Sequence, residues 1–369
     1  MAFFPELKKK LGFGCMRLPM VNGEVDLEEC NKMVDAFLAE GFNYFDTAHG
    51  YIDGKSEIAI RECLSKRHKR EEFILTDKLS DNFFNSTEDI EPMVRTELEA
   101  CGVEYFDFLL MHAQGHWNYD KYKKFHAYEE AVRLKEMGLV RHVGISFHDS
   151  PEMLDMILNE NPMVEVVQLQ FNYLDYEDAG VRSRQCYEVC VKHNLPVLVM
   201  EPVRGGRLAL LPKAAASVYE ELGDLSPASY AIRFAAGFEN IVMVLSGMSN
   251  MQQMMDNLSY MKDFVPLSAR EQEAVWKVND ILHNQNVIPC TACRYCVAGC
   301  PKQIPIPDIF AIMNRKELDP ACDGVAEYKA AVSGCGMASA CLACGKCEQA
   351  CPQHIEIREK LKKAAELFE

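Results

Sequence analysis

The strongest constraint on this chain is a cysteine pattern that occurs twice near its C-terminus. CTACRYCVAGCP spans residues 290–301 and CLACGKCEQACP spans residues 341–352. Each copy reads C-x2-C-x2-C-x3-C-P, and the two use eight of the 16 cysteines. At 369 residues the chain is too long for a disulfide-stapled mini-scaffold. The N-terminus, MAFFPELKKKLGFG, places its positive cluster after a short apolar stretch, the reverse of a secretory signal. The expected address is the cytoplasm, where clustered thiols point to metal.

Zinc is a weak reading of these motifs. Three cysteines within seven residues suit one tetrahedral zinc poorly, because its ligands usually come as two separated pairs. The spacing resembles that of bacterial two-cluster ferredoxins, in which the cysteine before proline turns away to the other cluster. The resemblance implies that Cys290, Cys293, Cys296 and Cys351 hold one [4Fe–4S] cluster. Cys341, Cys344, Cys347 and Cys300 would hold the second. CPKQIPIP and CPQHIEI each precede a helical stretch, at 306–315 and 356–368, and resemble the α-helical ferredoxin domains of larger oxidoreductases. The other cysteines, such as Cys15, Cys63, Cys101, Cys186 and Cys322, lack ligand spacing and read as core or incidental thiols.

Upstream, the chain alternates short β-rich runs with helical stretches. Strands are expected at 12–18, 43–47, 73–78, 106–112, 142–146, 164–171, 196–200 and 241–246, each a short apolar run suited to burial on both faces of a parallel sheet. Helix starts are marked by Asp26 with Glu29, by Ser150-Pro151, by Ser226-Pro227 and by Ser268 with Glu271. Helix is expected over 180–194, and no element is assigned between Arg204 and Leu225. Eight strand–helix units predict an α/β fold, a (β/α)8 barrel, with an open doubly wound sheet as the alternative. The expected domains are 1–266 for the barrel and 267–369 for a small, mainly helical unit with the two cysteine motifs. A hydrophobic content of 49% supplies a large core, and a net charge of −16 argues against a nucleic-acid partner. No apolar run approaches the ~20 residues that cross a bilayer.

Barrel chemistry sits at the carboxyl ends of the strands. There the chain carries FDTAHGY, with Asp46 and Tyr51, then TDK with Lys78, then LLMH with His112. A lone histidine or lysine after a strand is an ordinary structural residue; four such groups on successive strands can converge. Carbonyl reduction develops negative charge on oxygen, and a tyrosine with an ordinary pKa of ~10 needs a nearby cation to serve as the acid. For such chemistry Lys78 would supply the cation, Asp46 would orient it, and His112 would hold the carbonyl.

This order of residues resembles the aldo/keto reductase family over roughly residues 11–262. The family's catalytic tetrad falls on Asp46, Tyr51, Lys78 and His112. The resemblance implies nicotinamide contacts from Ser146 in VGISFH and Gln168 in VVQLQFNYLD. Phe147 replaces the usual Asn, and Met200 stands where many relatives stack an aromatic ring. MEPVRGGRL, with Arg204, Gly205 and Gly206, is similar to the family's pyrophosphate loop. LSGMSNMQQMMDNL resembles the adenosine-phosphate segment, with Gly247, Ser249, Gln253 and Asn257 as contacts. Residues 245–258 contain no Lys or Arg to favour a 2′-phosphate, which leaves NADPH and NADH both open. Together with the cysteine domain and GCMRLP in the first strand, the chain resembles the iron–sulfur branch of this family.

The expected function is interconversion of a small-molecule carbonyl and alcohol with NADPH or NADH, with two [4Fe–4S] clusters for electron transfer or structure. The alternative is a ferredoxin-linked electron-transfer protein whose barrel binds a flavin or a redox partner. No flavin-specific motif is present. A separate ferredoxin or flavoprotein is the expected electron partner if the clusters relay electrons. Trp117, Tyr119 and Tyr122 could wall an apolar pocket or simply pack, and Arg17 could meet an anion or cover a surface.

Overall fold

A computed structural model describes residues 3–319 and 321–369. Eight parallel strands close into a barrel. They are β1 (Leu11–Gly14), β2 (Tyr44–Asp46), β3 (Ile74–Leu79), β4 (Phe106–Gln114), β5 (Val140–Phe147), β6 (Val166–Gln170), β7 (Val197–Met200) and β8 (Ile241–Ser246). Going round the wall the order is β1-β8-β7-β6-β5-β4-β3-β2, and β1 pairs with both β8 and β2. Closure rules out the open sheet. Each expected strand is present, but the first is shorter than the sequence suggested: Cys15–Arg17 turns as a 3-10 helix ahead of the prolyl bond at Pro19. A short hairpin, Met20–Val21 with Glu24–Val25, was not anticipated.

Alternation along the strands decides which side chains enter the barrel. In β3, Ile74, Thr76 and Lys78 share one face, and Leu75, Asp77 and Leu79 share the other. All six are buried, because helices cover the outside. The lower interior is filled by Tyr44, Ile74, Phe108, Leu110, Val166, Leu198, Met243 and Leu245, with Phe4 packed against them. A Cβ on Gly144 of β5 would lie 2.5 Å from Val166 Cγ1 and 2.7 Å from Leu110 Cδ2, so only glycine fits there. The barrel floor is therefore a packed core rather than a channel.

The helix starts follow the capping chemistry in the sequence. Asp26, Ser150 and Ser226 each accept a hydrogen bond from the backbone N–H three residues on, opening Leu27–Ala39, Pro151–Glu160 and Pro227–Ala236. Ser268 and Glu271 form the reciprocal capping box of helix Ala269–His283. The unassigned stretch 204–225 contains a 3-10 turn, Arg204–Gly206, and helix Lys213–Glu220.

The chain forms two compact units. One comprises the residues through Val203 together with Leu222–Val275, and the other comprises Arg204–Glu221 with Trp276–Glu369. The sequence placed one boundary at 266/267; here the segment after β7 also groups with the cysteine motifs. The second unit has helices Ile306–Leu318, Val325–Ala331 and Ile357–Phe368 around a core that includes Ile309, Phe310, Leu361 and Phe368.

Candidate functional site

Asp46 ends β2, Lys78 lies near the end of β3 and His112 lies near the end of β4. Tyr51 opens a 3-10 turn just after β2. That turn runs through left-handed conformations at Ile52 (φ 53°) and Asp53 (φ 54°) before Gly54. Two successive non-glycine residues there carry backbone strain, as segments that fix a functional side chain often do. The four side chains are brought together. Lys78 Nζ donates to Asp46 Oδ1 at 2.6 Å and to the Thr47 carbonyl at 2.6 Å, and lies 4.7 Å from the centre of the Tyr51 ring. The Tyr51 and His112 rings meet edge to face with centres 5.9 Å apart.

The Lys78 side chain is only 1% exposed, so its charge acts through a medium of low polarizability and is felt strongly by its neighbours. His112 shows this: burial, then the Lys78 charge, then His148 hold its pKa well below the usual histidine range. Its Nδ1 lies 2.6 Å from Ser80 Oγ. Ser80 was not expected at the site, although it stands two residues beyond Lys78 and strand alternation puts it on the same face. A neutral imidazole oriented by a hydroxyl, beside a tyrosine next to a buried ammonium, can donate a hydrogen bond and a proton to one oxygen atom.

The expected nicotinamide contacts divide into several groups. Ser146 and Gln168 are register neighbours on β5 and β6, and both are buried. Gln168 Nε2, however, donates to Asp46 Oδ2 at 2.9 Å, so this amide also completes the shell of the Asp46 carboxylate. Met200 closes β7 opposite Gln170 and is half-buried. Arg204, Gly205 and Gly206 belong to the second unit. Gly205 has φ 65°, and a Cβ there would lie 2.6 Å from the Thr291 carbonyl oxygen, beside Cys290. After β8, the Ser249 N–H donates to Gln253 Oε1 and Ser249 Oγ donates to the Arg17 carbonyl. A Cβ on Gly247 would touch the Arg17 side chain at 3.2 Å. Asn257 is buried and its Oδ1 accepts from Ser246 Oγ at 2.7 Å, tying helix Met251–Met261 to β8.

Two of the three loop aromatics are packing residues. Tyr122 is buried and its hydroxyl donates to the Leu79 and His112 carbonyls, joining the ends of β3 and β4. Buried Tyr119 donates to Glu160 Oε2; Trp117 is partly exposed. Arg17 lies 3.7 Å from Glu201.

The two cysteine motifs adopt the same local shape. Ala292 and Ala343 are left-handed (φ 55° and 53°), as are Arg294 and Gly345 (66° and 78°) and Gln303 and His354 (50° and 50°). Ala292 N–H points to Cys290 Sγ and Ala343 N–H to Cys341 Sγ, each at 3.4 Å. One-turn helices follow, Tyr295–Ala298 and Lys346–Gln349. Burial and then Cys293, Cys290, Cys351 and Cys347 push the Cys296 thiol up. Cys300, Cys341, Cys344 and Cys347 line one pocket together with Lys302, Lys346 and Arg358. Cys300 thus lies with the second motif, and Cys351 is among the thiols that act on Cys296. Among the described residues no three of these sulfurs lie within 4.8 Å of one another. A single zinc with Zn–S bonds of ~2.3 Å needs closer sulfurs.

A closed parallel barrel with this buried group at its strand ends, and a domain of two repeated cysteine motifs, defines a barrel oxidoreductase with an iron–sulfur domain. Residues 10–280 match the model of the aldo/keto reductase family, and the chain belongs to that family. Residues 289–356 match a 4Fe-4S dicluster domain. An aldo-keto reductase of Mycolicibacterium vanbaalenii is 27% identical over 243 residues, covering 64% of this chain and 79% of that protein. The NADH-specific methylglyoxal reductase of Escherichia coli is 24% identical over 223 residues, covering 54% and 65%. Among solved structures, the holo form of a Bacillus halodurans aldo-keto reductase aligns with TM-score 0.60 and 25% identity over 73% of this chain and 91% of that one. A Klebsiella pneumoniae aldo-keto reductase bound to NADPH has TM-score 0.60 at 17% identity, covering 73% and 90%, and shares the fold.

Proposed function

We propose that the barrel interconverts a small carbonyl compound and its alcohol using NADH or NADPH, with Tyr51 as the general acid and base. A bound nicotinamide would supply the hydride. The chain's own residues handle the charge. Tyr51 gives its hydroxyl proton to the carbonyl oxygen, and Lys78 stabilises the phenolate left behind. Asp46 and the Thr47 carbonyl fix the ammonium, and Gln168 holds the other oxygen of Asp46. If Ser80 donates to His112 Nδ1, Nε2 carries the ring proton and can donate to the substrate oxygen. The observation that carries this reading is the buried Lys78 Nζ, held at 2.6 Å from Asp46 and 4.7 Å from the Tyr51 ring centre.

Ser146, Gln168 and Met200 are assigned to the nicotinamide, and Gly247, Ser249, Gln253 and Asn257 to the adenosine end. In the second unit, Cys290, Cys293, Cys296 and Cys351 would hold one [4Fe–4S] cluster, and Cys341, Cys344, Cys347 and Cys300 the other. Each cluster would supply one-electron chemistry or a structural staple. Tyr51→Phe keeps the ring and removes the proton donor, so carbonyl reduction should fall by about 10²–10⁴-fold. Nicotinamide affinity and iron content should hold, and unchanged turnover would remove Tyr51 from the mechanism.

A further inference from the structure

On the outer face of β3, away from the tetrad, three carboxylates are buried together. Glu57 in helix Lys55–Ile60, Asp77 in β3 and Glu97 in helix Ile90–Cys101 are each at most 1% exposed. The ligand atoms of His49, Glu57 and Glu97 lie within 4.8 Å of one another, as do those of Glu57, Asp77 and Cys101. Glu57 belongs to both groups. His49 Nδ1 lies 2.9 Å from Glu57 Oε2, a separation that two neighbouring ligands of one ion can adopt.

The partners of these acids are incomplete. Asp77 accepts from the Lys78 N–H at 2.8 Å and meets Cys101 Sγ at 3.6 Å. Neither oxygen of Glu97 has a hydrogen-bond partner, and Glu57 Oε1 has none. An unpaired carboxylate in such a place is strongly disfavoured, so either protons or a cation must neutralise the group. Imidazole with two carboxylates is a donor set for a first-row divalent ion; magnesium and calcium prefer all-oxygen shells with water. The His49 side chain is 27% exposed and leaves a route in.

We propose that His49, Glu57 and Glu97, with Asp77 and Cys101 beside them, form a binding site for one divalent first-row transition-metal ion. The ion ties three elements together. His49 lies between Asp46 and Tyr51, Asp77 directly precedes Lys78, and Glu97 belongs to the covering helix. The ion would thus brace the segment that carries Tyr51 against helices Lys55–Ile60 and Ile90–Cys101, and it touches no reacting atom. The site is separate from the cysteine motifs and does not depend on the proposed carbonyl chemistry.

The test uses cluster-loaded protein, so that the motif cysteines are already occupied. After dialysis against a mild chelator, Zn2+ is returned and bound metal, iron and sulfide are measured, together with the zinc X-ray absorption spectrum and the thermal midpoint. The expected result is one zinc per chain in a nitrogen- and oxygen-rich shell, with a higher midpoint. Glu97→Gln should lose the zinc and the midpoint shift while keeping its iron and sulfide. His49→Gln, altered at the rim of the site, should weaken zinc binding at least tenfold and provides the second variant if Glu97→Gln folds poorly. No zinc uptake by the wild-type chain, a sulfur-dominated zinc shell, or full uptake by a folded variant would overturn the proposal and leave protons as the neutralising charge.

Discussion

Lys78 organises the site because it is a buried cation with a carboxylate on one side and a phenol ring on the other. Lys78→Met would strand Asp46 with only Gln168 as a partner and withdraw the charge that stabilises the phenolate. Turnover should fall by about 10²–10⁴-fold, read as kcat at saturating substrate. Ser80→Ala removes one neutral hydrogen bond of about 0.5–1.5 kcal/mol from His112. A loss of roughly 2–10-fold in kcat/KM should follow, with nicotinamide affinity unchanged. His112 also sets an expectation for pH. Its pKa in the folded chain lies well below the unfolded value of about 6.5. As pH falls through that range the unfolded chain gains a proton that the folded chain does not, so this residue costs stability on acidification. Denaturant midpoints should therefore fall less between pH 7 and 5 in His112→Gln, and an equal fall would contradict the assignment. The convergence of these four side chains could be anticipated because Asp46, Lys78 and His112 stand at or near strand ends and Tyr51 on the turn that follows β2. Ser80 and the Gln168–Asp46 bond were less legible, since β6 meets β2 only through the barrel interior.

At the scale of elements, strands and helix starts could be read because their signals are local: short apolar runs, and oxygen side chains three residues ahead of a free N–H. Cys15–Arg17 was harder, since its composition suits a strand and only the approach to Pro19 ends it. The stretch 204–221 could not be assigned because its partners are distant in sequence. Arg207, for example, donates to the Leu282 carbonyl, and Gly205 faces the Thr291 backbone. That close approach yields a prediction. Gly205→Ala forces a Cβ to within 2.6 Å of a carbonyl oxygen at a positive φ, a strain of about 1–3 kcal/mol. The backbone at Thr291 must yield, and Cys290 with it. Iron and sulfide should drop while the barrel's circular dichroism is retained; full cluster content would show that the loop accommodates a side chain.

For the whole molecule, the proposed ligand sets interleave the two cysteine motifs, so damage should appear far from the mutated position in sequence. Cys351→Ser should disturb the cluster assigned to Cys290, Cys293 and Cys296 more than the one assigned to its neighbours Cys341, Cys344 and Cys347. Paramagnetic resonance of the reduced protein can separate the two signals. A second expectation concerns electron count. Nicotinamides deliver two electrons as a hydride and each cubane accepts one, so NADH or NADPH alone should not bleach the clusters of flavin-free protein under anaerobic titration. Prompt bleaching would favour the electron-transfer reading. The most direct test of the central claim follows deuterium. Anaerobic protein is given a carbonyl substrate and nicotinamide deuterated at C4, and the alcohol is analysed by mass spectrometry. The account predicts one deuterium on the former carbonyl carbon, delivered from one face of the nicotinamide and lost by orders of magnitude in Tyr51→Phe. Deuterium that appears only in solvent, or an alcohol formed without it, would contradict hydride transfer at this barrel.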